Sequence, residues 1–163
     1  MTAAFSKDQD IFWMRRALSL ARRAALRGEV PVGCVLVRGG RLLASGANRR
    51  EGDSDPTAHA EIVALRRAGR RLKGWRMDDA TLYVTLEPCL MCLGAVKNAR
   101  VGRLVYGAPD PKQGATRLFR RKCRAATDGN DRHLEIQGSV LAEEASALLR
   151  DFFRARRRDR KKP

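Results

Sequence analysis

No apolar run in this chain outlasts a β-strand. The longest, such as VGCVLV from Val32 to Val37, alternate along the sequence with segments of helical period. That alternation limits the fold sharply, because strands interleaved with helices bury their apolar faces best in layers, with one sheet between helices. Ser6 and Gln9 have capping-box spacing ahead of DIFWMRRALSLARRAALRG, where Met14, Leu18, Ala21 and Ala25 make one helical stripe and Gly28 offers a stop. VGCVLV and RLLASG flank RGG, which predicts a β-hairpin with a glycine turn. ATLYVT (80–85), RLVYG (103–107) and HLEIQG (133–138) are predicted as the third, fourth and fifth strands. A last helix is predicted from about Ala142, with Leu148, Leu149, Phe152 and Phe153 available for burial, before it dissolves into basic residues. The 163 residues suit one domain over 1–153 with a basic tail over 154–163, long enough to bury about two-thirds of the unfolded surface without disulfides.

Thirty-four Lys and Arg against eighteen Asp and Glu leave a net charge of +16, far more than solubility asks of a small domain. The cations cluster in RRAGRRLKGWR (66–76), RLFRRKCR (117–124) and RARRRDRKK (154–162). An anionic partner is expected, with nucleic acid ahead of a membrane, since no basic segment carries a broad apolar face with aromatic anchors. Acids stand where a signal peptide would place its apolar stretch, and the four cysteines do not form a secreted disulfide pattern. A reducing cytoplasm is the expected compartment.

PTAHAEIVAL (56–65) sets His59 and Glu61 two apart. In mid-helix such residues diverge by about 200°. In a first turn, side chains lean back past the helix end and can converge there. Pro56 suits a first helical turn, and Asp55 or Thr57 can cap it, so a helix running to about Arg70 is predicted. A convergent His and Glu match a metal ligand beside a proton carrier, and the pair alone also matches an ordinary capped amphipathic helix.

TLEPCLMCLGAVKNAR supplies further ligands. Pro88 suits the first position of a helix, so Cys89 and Cys92, at i and i+3, share a face of its first turn. A helix N-terminus favours thiolates. His59, Cys89 and Cys92 then make three zinc ligands and leave one tetrahedral position open, the arrangement of a catalytic rather than a structural site. Glu61 is left as general acid and base. A redox Cys-x-x-Cys, or half of a structural zinc site completed by His133, is the competing reading. The pattern H-x-E followed by P-C-x-x-C is the signature of zinc deaminases.

EVPVGCVLV, DPTAHAEIVALR, DATLYVTLEPCLMC and LLRDFFRARR, in that order, resemble the bacterial tRNA-specific adenosine deaminases over about residues 11–158. The resemblance implies the three-layer α/β/α cytidine deaminase fold, a five-stranded mixed sheet with a zinc site at two helix N-termini. It also implies one Zn²⁺ per chain, a homodimer that completes the substrate site, and deamination of the wobble adenosine of an arginine tRNA in its anticodon loop. In that scheme zinc brings the pKa of a water towards about 7, Glu61 takes its proton, the oxygen attacks C6 of adenine while Glu61 protonates N1, and ammonia leaves. The backbone N–H groups of Ala60 and Cys89 are candidates to stabilise the intermediate. Asn48 matches the asparagine that binds the base, Val30 and Pro31 match the pocket wall, and Asp110 matches a substrate-loop contact. Lys112, Phe152, Phe153, Arg154, Arg156 and Arg157 are candidate RNA contacts, with at least one of the two phenylalanines expected in the core. Gly107, Ala108, Asp110, Lys112 and Gly114 keep the family pattern after the fourth strand, while Pro109, Pro111 and a basic segment depart from it. Two other functions use the same residues: deamination of a free nucleobase or nucleoside, which needs no basic surface, and a non-catalytic zinc-containing RNA-binding module, which needs a fourth protein ligand.

Overall fold

A computed structural model of the chain describes residues 6–118 and 134–160. Helix α1 (Lys7–Ala25) starts at the expected capping box, with the Ser6 hydroxyl accepting from the Gln9 N–H and the Gln9 side chain accepting from the Ser6 N–H. Strands β1 (Gly33–Arg38) and β2 (Arg41–Ala47) form the hairpin. Gly39 and Gly40, at φ 55° and 69°, make the two-residue turn that only residues tolerant of positive φ close easily. A one-turn helix α2 (Arg50–Asp53) comes next, and α3 (Ala60–Leu72) follows. Then come β3 (Ala80–Leu86), α4 (Leu90–Asn98), β4 (Arg103–Ala108), the short β5 (Glu135–Gln137) and α5 (Ala142–Asp159).

The five strands lie in the order β2-β1-β3-β4-β5. β1 is antiparallel to β2 and β3, whereas β3–β4 and β4–β5 are parallel, so the sheet is mixed as expected. Because successive strand residues face opposite sides, β1 sends Val35 and Val37 to one core with Trp13, Met14 and Leu18 of α1, and Cys34 and Leu36 to another with Ala64 and Leu65 of α3 and Leu93 of α4. Helices α1 and α5 cover the first face, α3 and α4 the second.

Both helix layers come unusually close to the sheet beside the hairpin. A Cβ on Gly33 would strike the Ala17 carbonyl and the Ala21 N–H of α1, and one on Gly46 would strike the Ala60 carbonyl and the Ala64 N–H of α3. Each glycine is there because no side chain fits. Under α1 the sheet also holds a buried ion pair. Arg103 donates to both oxygens of Asp10 at 2.7 and 2.9 Å and to Glu135 at 2.8 Å, while the Tyr83 hydroxyl donates to Asp10 at 3.0 Å.

Three expectations are corrected. α3 begins at Ala60 with His59 as its cap, and α4 begins at Leu90 with Cys89 as its cap, so Pro56 and Pro88 precede the helices. Asp55 accepts from the N–H and hydroxyl of Thr57, which makes a turn rather than a helix cap. α5 continues through the basic residues to Asp159, and among the described residues it buries only Ala145 fully, leaving Phe152 partly covered and Phe153 41% exposed. Neither phenylalanine enters the core, because α5 rests on β4 and α1 near its start and its later turns run beyond them.

Candidate metal and catalytic site

Two junctions build the site. After β2, the Asn48 N–H donates to Val32 and the Arg49 N–H to Ala58, which returns the chain to the sheet before α3 opens at His59. After β3, the Glu87 N–H donates to Ala108, and Pro88 leads into Cys89. His59 and Cys89 thus hold equivalent posts, each the extended residue at which a helix begins, with its carbonyl accepting from Val63 or Leu93. Glu61 is then the second residue of α3 and Cys92 the third of α4.

The ligand atoms of His59, Cys89 and Cys92 lie within 4.8 Å of one another. His59 Nδ1 is 3.7 Å from Cys89 Sγ and 3.4 Å from Cys92 Sγ. Among the described residues no fourth His, Cys, Asp or Glu joins this group, and Glu61 stands outside it. His133 and Cys123 lie outside the described residues, as does most of the basic segment 117–124.

Electrostatics divide the two thiols. Hydrogen bonds from Cys92 and His59 hold the Cys89 thiol down at about 4, so it is a thiolate at neutral pH. The shared hydrogen bond with Cys89, then burial, pushes Cys92 up. The hydrogen bond with the Cys89 sulfur raises His59 above the usual imidazole range. Glu61 is only 4% exposed, and its burial raises its carboxyl above the usual range. A set of donors with mobile protons and one thiolate, at helix starts that favour negative charge, suits a divalent cation.

The cavity beside these residues is lined by Val30, Asn48, His59, Ala60, Glu61, Cys89 and Asp110, all named from sequence. Cys92 lies buried behind it and Pro31 is buried outside the lining. Lys112 is exposed on the loop that carries Asp110. Phe152, Phe153, Arg154, Arg156 and Arg157 are on α5, away from the lining; Arg156 lies over the Phe152 ring at 5.5 Å and Arg154 pairs with Asp151 at 3.8 Å.

Sequence reading missed Arg50, Gln113 and two buried carboxylates. Glu29 accepts from the Asn48 amide at 3.2 Å and from the Gly52 N–H at 2.8 Å. An ionised carboxylate only accepts, so it fixes which end of the Asn48 amide points towards it and leaves the amide oxygen for the cavity. Glu87 serves the opposite wall. No residue type flags such a pair, because most of their partners are backbone N–H groups, which every residue but proline carries.

A model of the MafB19-like deaminase family matches residues 8–157. The chain is 47% identical over 150 residues to the tRNA-specific adenosine deaminase of Haemophilus influenzae, covering 91% of this chain and 85% of that protein. It is 40% identical over 153 residues to the protein of the same name in Bacillus subtilis, covering 94% of each. A solved structure from work on A-to-I editing by tRNA:A34 deaminases at the wobble position of transfer RNA superposes with a TM-score of 0.76 at 41% identity, over 85% of this chain and 99% of that one.

Proposed function

Since the chain belongs to the MafB19-like deaminase family, and within it to the tRNA-specific adenosine deaminases, we propose that it converts adenosine to inosine by hydrolysis at the wobble position of a tRNA, an arginine tRNA in particular. The observation that carries this reading is the convergence of His59, Cys89 and Cys92 next to a buried Glu61 in one cavity.

Zinc fits the donor set. Two sulfurs and an imidazole are among its preferred ligands, and tetrahedral bonds of about 2.3 Å to sulfur and about 2.0 Å to nitrogen would separate S from N by about 3.5 Å. The separations found are 3.7 and 3.4 Å. Bound there, zinc supplies Lewis acidity that brings the pKa of a water towards about 7. Glu61 takes one proton from the attacking water and delivers it to N1 of the adenine as the water oxygen adds to C6. The second water proton leaves with the amino group as ammonia when the C6–N6 bond breaks. The N–H groups of Ala60 and Cys89 stand where helix donors have no intrahelical acceptor, and they stabilise the tetrahedral intermediate formed at C6. Asn48, oriented by Glu29, fixes the base, Val30 packs on it, and Asp110 serves as a substrate-loop contact.

The reading extends to a homodimer and to the cytoplasm. Leu90 and Met91, 69% and 39% exposed beside Cys89, support a second subunit covering the first turn of α4. Among the described residues no helix is long and apolar enough to cross a membrane. The cations of α5 and Lys112 are assigned to phosphates of the RNA.

An arginine-tRNA anticodon stem-loop, free adenosine, guanine and cytidine should be offered to the purified protein and the products separated. Inosine is expected from the stem-loop alone, and hardly any when the same adenosine is paired within a duplex, because flipping is cheapest for an unpaired base. Equal rates on both RNAs, or a preference for a free base, would reject the reading. Cys89→Ala and Cys92→Ala should each drop zinc from about one per chain to near zero and abolish turnover with it. Elemental analysis showing full zinc in either variant would remove that cysteine from the ligand set.

A further inference from the structure

Glu87 is a buried carboxylate with no part in the reaction as written, and its place is unusual. It stands one residue beyond β3 and two before Cys89. Its Oε2 accepts from the Asp110 N–H at 3.0 Å, and its Oε1 accepts from the Thr116 N–H at 3.2 Å and from the Thr116 hydroxyl. Between these two anchors the loop closes on itself. The Asp110 side chain accepts from the N–H groups of Lys112 and Gln113 at 2.9 and 3.1 Å, the Asp110 carbonyl accepts from Gly114 at 3.0 Å, and Pro88 accepts from Ala115 at 3.0 Å.

Every N–H from Asp110 to Thr116 is therefore in use, apart from Pro111, which has none. Pro109 and Pro111, where this chain departs from the family pattern, fall on the two positions of 109–116 that donate nothing. They restrict the loop without breaking its hydrogen bonds. Gly114 lies against the Glu87 carboxylate so closely that a Cβ would strike it. A carboxylate taken out of water is costly unless donors surround it, so this loop has one favourable shape, the one that wraps Glu87.

Asp110 and Gln113 of the same loop line the cavity, and Lys112 is exposed beside them. Glu87 itself also borders that cavity. We propose that Glu87 is a positioning residue for tRNA: it sets the shape of loop 110–116, and through it the placement of Asp110, Lys112 and Gln113 against the RNA. This rests on the cavity being the tRNA adenosine site.

The test uses the zinc-loaded full-length protein and Glu87→Gln, which keeps the size of the side chain but turns an N–H group towards the loop's own donors. With an anticodon stem-loop as substrate, KM should rise tenfold or more while kcat stays within about threefold and zinc per chain is unchanged. Hydrogen exchange at amides 110 and 114–116 should quicken at least tenfold while α4 keeps its protection. Thr116→Val, which removes only the hydroxyl bond, should give a smaller rise in KM. Unchanged exchange in Glu87→Gln would show that Glu87 does not shape the loop, and fast exchange with an unchanged KM would show that the loop does not present the RNA contacts. Zinc loss with a fall in kcat would make Glu87 a support for Cys89 instead. Should the wild-type protein make no inosine from any stem-loop, the functional reading fails separately, and the exchange result still decides whether Glu87 governs the loop.

Discussion

Glu61→Gln is expected to keep its zinc and its melting temperature and to lose about two to four orders of magnitude in kcat, the usual loss when a positioned proton carrier is removed. The side chain lies outside the group of ligand atoms, so the metal should not notice the change. It is also buried on the second residue of α3, and the isosteric amide preserves packing there. What disappears is the capacity to accept a proton from water and pass it to a ring nitrogen. Burial already holds the Glu61 carboxyl above the usual range, which favours the protonated form needed for the second half of that transfer. Single-turnover deamination of a stem-loop, with zinc analysis on the same sample, decides the matter. A rate near wild type would take the proton role from Glu61, and zinc loss would make it a ligand.

Arg103→Met is expected to destabilise the fold by about 3–5 kcal/mol, because removing one member of a buried ion pair strands the other. The Arg103 and Asp10 side chains are 7% and 8% exposed, and among the described residues the variant leaves Asp10 with Tyr83 as its side-chain donor. For a chain of this length such a loss lowers the melting temperature by roughly 10 °C or more. Asp10→Leu combined with Arg103→Met should recover part of it, since an apolar pair of similar volume strands no charge, while the buried Tyr83 hydroxyl still loses its Asp10 acceptor. Thermal unfolding of the wild type, both single variants and the double variant gives the coupling directly. If Arg103→Met alone melts within a degree or two of wild type, the pair is not what ties α1 to β3, β4 and β5. The ligand group lies across the sheet, so zinc content should not change.

How legible all this was depended on the range of the signal. The hairpin and the four residues proposed for the metal and proton chemistry were readable because short spacings encode them: two glycines between apolar runs, H-x-E, and C-x-x-C. The starts of α3 and α4 were misplaced because proline suits a turn before a helix cap as well as a first helical position. Asp10 in α1 was in phase with the apolar stripe at Met14 and Leu18, a visible hint of a buried charge, but its partner lies 93 residues away on β4 and nothing local points to it. Nothing in the sequence around Glu29 and Glu87 marks them as buried, since burial of a carboxylate is set by the loops that fold over it. α5 outlasted its expected end because Arg and Ala are good helix formers, whatever their charge.

The two glycines that let α1 and α3 touch the sheet lie on the same hairpin, with Gly33 paired to Ala47 and Gly46 to Cys34 across adjoining rungs. The three layers are therefore clamped at one spot, and the clamp bears on Ala60, the residue that follows His59. The position of His59, the proposed histidine ligand, therefore depends on how deep the start of α3 sits against the sheet. A methyl group added at Gly46 would lift the start of α3 off the sheet, so this position governs the registry of the ligand cluster as much as any ligand does.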